Sequence, residues 1–222
     1  MKLYDYVLSA SCYKVRLMAA LLGEKLSTEA VDFHPGRAHR SREFRALNPA
    51  GTLPVLVDGG LILTESTAML VYLAQRAGKV WLGDGSPVQA AQVQQWLAFS
   101  ARLGGSLGMA RLHDMLLYAG DIDALRRAGV AALRELESHL TEARFDGRIF
   151  LTGTTPTIAD IACFPNVALA PDGGVSLDDY PSIRLWSRAI RALPGFIEMP
   201  GIHRLHELKP APEAVPPLEA LL

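Results

Sequence analysis

Cysteine is nearly missing from this chain of 222 residues: Cys12 and Cys163 are the only two, they lie far apart, and neither belongs to a metal-ligand spacing. A disulfide framework and a zinc site are therefore not expected, and a reducing cytoplasm suits the composition. Excess charge of either sign is missing too. Lys and Arg number 22 against 23 Asp and Glu, a formal net charge of −1. No electrostatic attraction to nucleic acid or to an anionic membrane follows, and a small organic ligand is the better expectation. Long apolar runs are the third absence. The opening residues are too short and carry Asp5, so they do not make the apolar region of a signal peptide, and no later stretch approaches bilayer-spanning length. A soluble protein is expected, and no internal repeat is found.

What the chain has is ample apolar material, 50% hydrophobic residues with 20% charged, enough for a substantial core. Its length suits one large domain or two modest ones, and the pattern favours two. Residues 2–8 read as a strand and 13–22 as a helix, with Val15, Met18 and Leu22 on one face, Lys14 and Arg16 nearby, and Gly23 as its stop. Residues 27–33 have strand character, broken by His34, Pro35 and Gly36 before a polar, basic segment over 37–45. Two strands, 55–57 and 61–63, flank a hairpin signal at Asp58, Gly59 and Gly60, and a helix over 66–77 completes a βαβ–ββα unit.

Beyond a Gly-rich, aperiodic linker every pattern is helical: 88–112 with Trp96 and Leu103, then 122–143 with Leu125, Leu133, Leu136 and Leu140. Thr157 followed three residues later by Asp160 is a capping box with Asp in place of Glu or Gln, and it predicts a central helix. Tyr180, Pro181 and Ser182 open a last helix through Ile183, Trp186 and Ile190, ended by Pro194 and Gly195. A Pro-rich stretch over 210–217 reads as extended. The expected fold class is α/β plus all-α, with domains at 1–78 and 88–222 joined by a linker at 79–87.

Two places carry chemistry. Pro54 stands between apolar, strand-like residues and cannot donate a ladder hydrogen bond, so it reads as an edge or a cis bend that leaves the Leu53 backbone free to pair with an extended peptide. Glu65 and Ser66 fall where a strand ends and a helix begins; the helix start suits a carboxylate and Glu65 an amine. Together these fit a small peptide with both termini free. The turn at Ser9, Ala10, Ser11 and Cys12 also lies at a helix N-terminus, where negative charge is welcome. A bound thiolate fits there. Lowering a thiol pKa from about 8.5 to about 6.5 takes about 2.7 kcal/mol. One hydrogen bond to a charged group contributes about 1.5–3 kcal/mol and the helix dipole about 0.3–1. One hydroxyl at that helix start therefore suffices without a base.

The order strand, Pro54, strand, strand, Glu65, Ser66, helix resembles the thioredoxin-like half of the cytosolic glutathione S-transferase family, with bacterial-type, theta- and zeta-like serine members. The cap at Thr157 and Asp160 and the helix start at Pro181 resemble its helical half, so the likeness covers residues 1 to about 200. It implies a thioredoxin-like domain and a helical bundle, glutathione as co-substrate with no metal, transfer to a small hydrophobic electrophile, and a homodimer. By position it implies that Ser9 is the catalytic hydroxyl at the end of the first strand. Ser11 and Cys12 compete: zeta-like sequences read Ser-Ser-Cys before Arg-Val-Arg, and here Lys14, Val15 and Arg16 match that helix while Ser11 takes the place of the Cys. A catalytic Cys12 would imply thiol–disulfide chemistry.

The resemblance further places His39 at the glycine end of glutathione, the Leu53 backbone before a cis Pro54 against its middle, and Glu65 with Ser66 at the γ-glutamyl end. Thr52 departs from the family's frequent Lys or Gln, with Arg37, Arg40 or Arg42 available as substitutes. The second substrate is expected between the halves, against Met109, Arg111 and Leu112, while Cys163 reads as buried packing. Two other functions stay open: a glutathione-dependent isomerase or disulfide reductase, and a non-catalytic binding protein of the same fold.

Overall fold

The computed structural model describes residues 1–78, 80–200 and 202; the Pro-rich stretch at 210–217 lies outside them. The first elements in chain order are β1 (Lys2–Asp5), α1 (Ala10–Leu21), β2 (Ser27–Ala30), α2 (Arg42–Leu47), β3 (Val55–Asp58), β4 (Leu61–Leu63) and α3 (Ser66–Arg76). The strands form one mixed sheet in the order β2-β1-β3-β4, with β1 parallel to β2, antiparallel to β3, and β3 antiparallel to β4. Strand alternation sorts side chains onto two faces. Leu3 and Leu56 join the core under α1 and α3, whereas Val55 packs with Val31 and Phe44 under α2 on the other face. Gly59, at φ 59°, makes the two-residue hairpin between β3 and β4.

Several boundaries differ from the sequence expectation for identifiable reasons. Helix α1 starts at Ala10, not 13, because Ser9 caps it: the Ser9 Oγ accepts the Cys12 N–H at 3.2 Å. The basic segment at 37–45 is not a plain loop. Ser41 accepts the Phe44 N–H at 3.1 Å and so opens α2, which drives Phe44 into the sheet. Lys14 of α1 is buried, 4% exposed. Burial pushes its ammonium pKa down to about 8.

The second half holds α4 (Pro87–Leu103), α5 (Met109–Leu116), α6 (Ile122–Phe145), α7 (Ile158–Ala168) and α8 (Pro181–Arg191). The expected helix over 88–112 is continuous in space but widens into a π-helical turn at Gly104–Gly108. All 11 residues of α7 are buried, and its apolar side chains join those of α1, α3 and α4 in one core that runs through both halves. The capping box forms as read. Asp160 accepts the Thr157 N–H at 2.8 Å, and also the Leu151 N–H and the Trp186 Nε1–H at 2.9 Å each. Tyr13 ties α1 to the last described segment through a 2.6 Å hydrogen bond to the Ile197 carbonyl. Among the described residues no helix is long and apolar enough to cross a membrane.

Candidate active site

A cavity of about 290 Å³ opens at the N-terminus of α1, where the sheet half meets α5 and α7. Of the residues singled out from sequence, Ser9, Ser11, His39 and Leu53 line it, as do Arg40, Arg111 and Leu112. Cys12, Pro54, Glu65, Ser66 and Met109 do not.

Ser9 is the N-cap of α1, and a hydroxyl that accepts a backbone N–H there keeps its own O–H to donate toward a ligand. The helix start adds a positive field at the same point. Ser11, in the first turn of α1, faces the cavity as well and is half-buried. Cys12 turns the other way. It is 0% exposed, and burial, which outweighs the nearby Ser9 hydroxyl, pushes its thiol up to about 12. A thiol so placed cannot be the exposed, ionised nucleophile that disulfide chemistry requires. Cys163 is equally buried, with its Sγ donating to the Trp96 carbonyl at 3.5 Å. Both cysteines of the folded protein are therefore expected to resist a thiol-labelling reagent at pH 8, reacting about 1000-fold more slowly than after denaturation. Stoichiometric labelling of the native protein within seconds would contradict this.

Around Leu53 the backbone is held by side chains. The Leu53–Pro54 bond is cis, as the sequence reading allowed. Asn48 braces the approach by donating from Nδ2 to the Thr52 carbonyl at 2.9 Å and accepting the Ala50 N–H at 3.2 Å. Gly51 is required twice over: its φ is +59°, and a Cβ there would lie 2.8 Å from the His39 carbonyl oxygen. Glu65 and Ser66 stand at the start of α3, Glu65 exposed with no capping hydrogen bond from its side chain and Ser66 half-buried.

His39 is 3% exposed, its ring stacked on Phe33 at 4.2 Å, and its Nδ1 is buried without a partner. Burial, and then the charges of Arg40, Arg37 and Arg45, push its pKa below the ordinary value, so the ring is neutral at pH 7. The unfolded chain, with a His pKa of about 6.5, takes up the proton first as pH falls. The stability tied to the neutral ring is thus complete above that value and is lost as pH drops through the lowered folded value. His39→Gln is expected to flatten the fall in urea midpoint between pH 7.5 and 5.5; an unchanged slope would contradict the assignment.

Sequence reasoning missed the aromatic wall. Phe33 packs against Tyr6 at 5.3 Å and Tyr118 at 6.4 Å, and all three line the cavity. Only tertiary folding brings Tyr118 beside Phe33, and no local pattern marks either. Asn166 of α7 was missed for the same reason, since it sits in an apolar run that reads as core. Arg111 was named but not its role: its Nη1 donates to the Leu8 carbonyl at 2.7 Å and its Nε to Asp172 at 3.0 Å, so it struts the first loop to the helical half. Among the described residues no group of three His, Cys, Asp or Glu side chains is placed to hold a metal.

A four-stranded mixed sheet with its helices, an all-helical unit packed on it, and a cavity where the first helix starts make an α/β plus all-α protein with a ligand-sized cavity between the two parts. Residues 3–81 match the family model for the glutathione S-transferase N-terminal domain, and residues 119–189 that for the C-terminal domain. Glutathione S-transferase 2 of Anopheles gambiae is 35% identical over 182 residues, 80% of this chain and 84% of that protein. Maleylacetoacetate isomerase of Pseudomonas aeruginosa is 32% identical over 206 residues, 88% of this chain and 93% of that protein. The crystal structure of a possible glutathione S-transferase from Rhodopseudomonas palustris superposes with a TM-score of 0.80 at 30% identity, over 94% of this chain and 98% of that one. The chain belongs to the glutathione S-transferase family.

Proposed function

We propose that this protein is a glutathione S-transferase that uses Ser9 to hold the glutathione thiol as a thiolate and directs the sulfur at a small electrophile. The observation that carries the reading is the Ser9 hydroxyl at the N-cap of α1, on the cavity wall. In this mechanism the thiol releases its proton to solvent and the Ser9 O–H and the helix N-terminus stabilise the sulfur anion. Sulfur then attacks carbon, the C–S bond forms, and the leaving group departs with its electron pair; holding both reactants in one cavity supplies the proximity. Glutathione lies with its glycine end toward His39 and Arg40, its middle against the Leu53 backbone, and its γ-glutamyl end toward Glu65 and Ser66. Ser11 is the second hydroxyl near the sulfur, and no step requires a metal.

The relatives named transferase support this reading, and the burial of Cys12 weighs against a disulfide reductase. The likeness to maleylacetoacetate isomerase keeps a glutathione-dependent isomerisation as the second reading, through the same thiolate. We also read the division as 1–78, 79–87 and 88–222, the assembly as a homodimer, and the compartment as cytoplasm, all on the family resemblance. The test is a steady-state assay of purified protein with glutathione and a nitro-activated aryl chloride. Saturable conjugation that falls with Ser9→Ala supports the reading. Glutathione binding without conjugation, indifferent to Ser9→Ala, would instead fit a non-catalytic binder.

A further inference from the structure

We infer that the helical side of the cavity is a carboxylate-binding subsite formed by Arg111 and Asn166, so that the second substrate is an anionic electrophile, a carboxylate attached to a planar apolar body. The inference rests on the transferase reading above for the word electrophile, but the subsite itself is argued from geometry. Arg111 is 6% exposed and lines the cavity. Its Nε and Nη1 are used on Asp172 and Leu8, while Nη2 is buried with no hydrogen-bond partner. An unpaired N–H on a buried guanidinium is unfavourable until an acceptor meets it, and a carboxylate is the acceptor that matches its shape.

Asn166, 5% exposed, lines the same cavity, and among the described residues no hydrogen bond engages its amide. The chain makes room for that amide: at Gly108 a Cβ would lie 3.0 Å from the Asn166 Oδ1, tighter than ordinary packing. The sign of the site agrees. Arg40 and Arg111 line the cavity and no Asp or Glu does. Asp172 offsets part of the Arg111 charge but contacts Nε, leaving Nη2 free for a second acid. Phe33, Tyr118, Leu112 and Leu116 line the same cavity and supply the apolar surface for the rest of the molecule. Glutathione's own carboxylates are assigned elsewhere, near His39 and at α3.

The test is calorimetry on the full chain saturated with S-methylglutathione, which cannot react, comparing 4-nitrobenzoate with nitrobenzene. The expected result is that the benzoate binds at least about tenfold tighter, as for one hydrogen bond to a charged group. Asn166→Leu and Arg111→Gln should each bring that ratio toward about one. If Arg111→Gln fails to fold, because it also loses the strut to Leu8 and Asp172, Asn166→Leu and Gly108→Ala decide the matter, the latter by pushing the Asn166 amide aside. Equal affinities in the unmodified protein, or a preference that survives Asn166→Leu, would overturn the subsite. Failure of the two readings is distinguishable: conjugation of a neutral aryl chloride with no benzoate preference defeats the subsite alone, and benzoate preference with no conjugation of any aryl chloride defeats the transferase alone.

Discussion

Ser9→Ala is expected to lower kcat/KM for glutathione conjugation at pH 6.5 by about 10- to 100-fold, with most of the loss in kcat. A hydrogen bond to a charged group contributes about 1.5–3 kcal/mol, and each 1.36 kcal/mol is tenfold in rate. The lost bond exists only when the sulfur is ionised, so the defect should shrink as pH rises and solvent ionises the thiol unaided. Glutathione affinity should change little, since in the proposed binding mode the peptide's ends are held away from Ser9. The variant also loses the cap on Cys12 N–H, about 1 kcal/mol of stability, which a urea titration measures separately. Ser11→Ala is the control. It faces the same cavity but does not cap the helix, and a loss below about threefold is expected because Ser9 still supplies the charge-stabilising bond. A large loss in Ser11→Ala with none in Ser9→Ala would transfer the role.

Asp160→Ala is expected to be the most destabilising single change in the helical half, by about 3–5 kcal/mol. The carboxylate is fully buried and is met by the Leu151 N–H, the Thr157 N–H and the Trp186 Nε1–H, with the Thr157 hydroxyl at 3.3 Å. Removing it leaves three buried N–H donors without an acceptor and breaks the reciprocal half of the capping box of α7, the helix against which α1, α3 and α4 pack, while Thr157 still caps the Ala159 N–H. For a chain of this length the loss corresponds to a fall in Tm of roughly 6–20 °C. Asp160→Asn should lie between, because an amide can accept at one oxygen but sets its NH2 against donors at the other. A Tm within 2 °C of the unmodified protein for Asp160→Ala, a shift of about 1 kcal/mol or less, would contradict this role.

Most of the helices, and the order of the strands along the chain, are legible in the sequence because each has a local cause. Thr157 and Asp160 are spaced for reciprocal capping, Pro181 sits where a helix can begin, and Gly59 sits where a hairpin must turn. The start of α1 was less legible: Ser9 is both the end of a strand-like run and a cap, and only the observed hydrogen bond to Cys12 decides between them. Helix α2 hides behind its charge, since one Phe44 among arginines is enough to dock it. Nothing in the local pattern marks Lys14 as buried, because its charge gives no sign of the packing that covers it.

Of the residues named from sequence, Ser9, Ser11, His39 and Leu53 line one cavity, whereas Glu65 and Ser66, the residues of the other short motif, do not. Cys12 stood in the sequence as a competitor of Ser9, and its burial removes it from that contest. The opposite wall is not local at all. Asn166, Tyr118 and Phe33 come from three distant parts of the chain, and the free Nη2 of Arg111 depends on how two other partners consume its remaining donors.

The most direct measurement is an ultraviolet pH titration of glutathione bound to the purified protein, following thiolate absorbance in the unmodified chain and in Ser9→Ala. The expected result is a bound thiol ionising near pH 6.5, about two units below the ordinary thiol value, moving up by at least about one unit when Ser9 is replaced. No thiolate below pH 8 in the unmodified protein, or the same titration in both proteins, would contradict activation by Ser9.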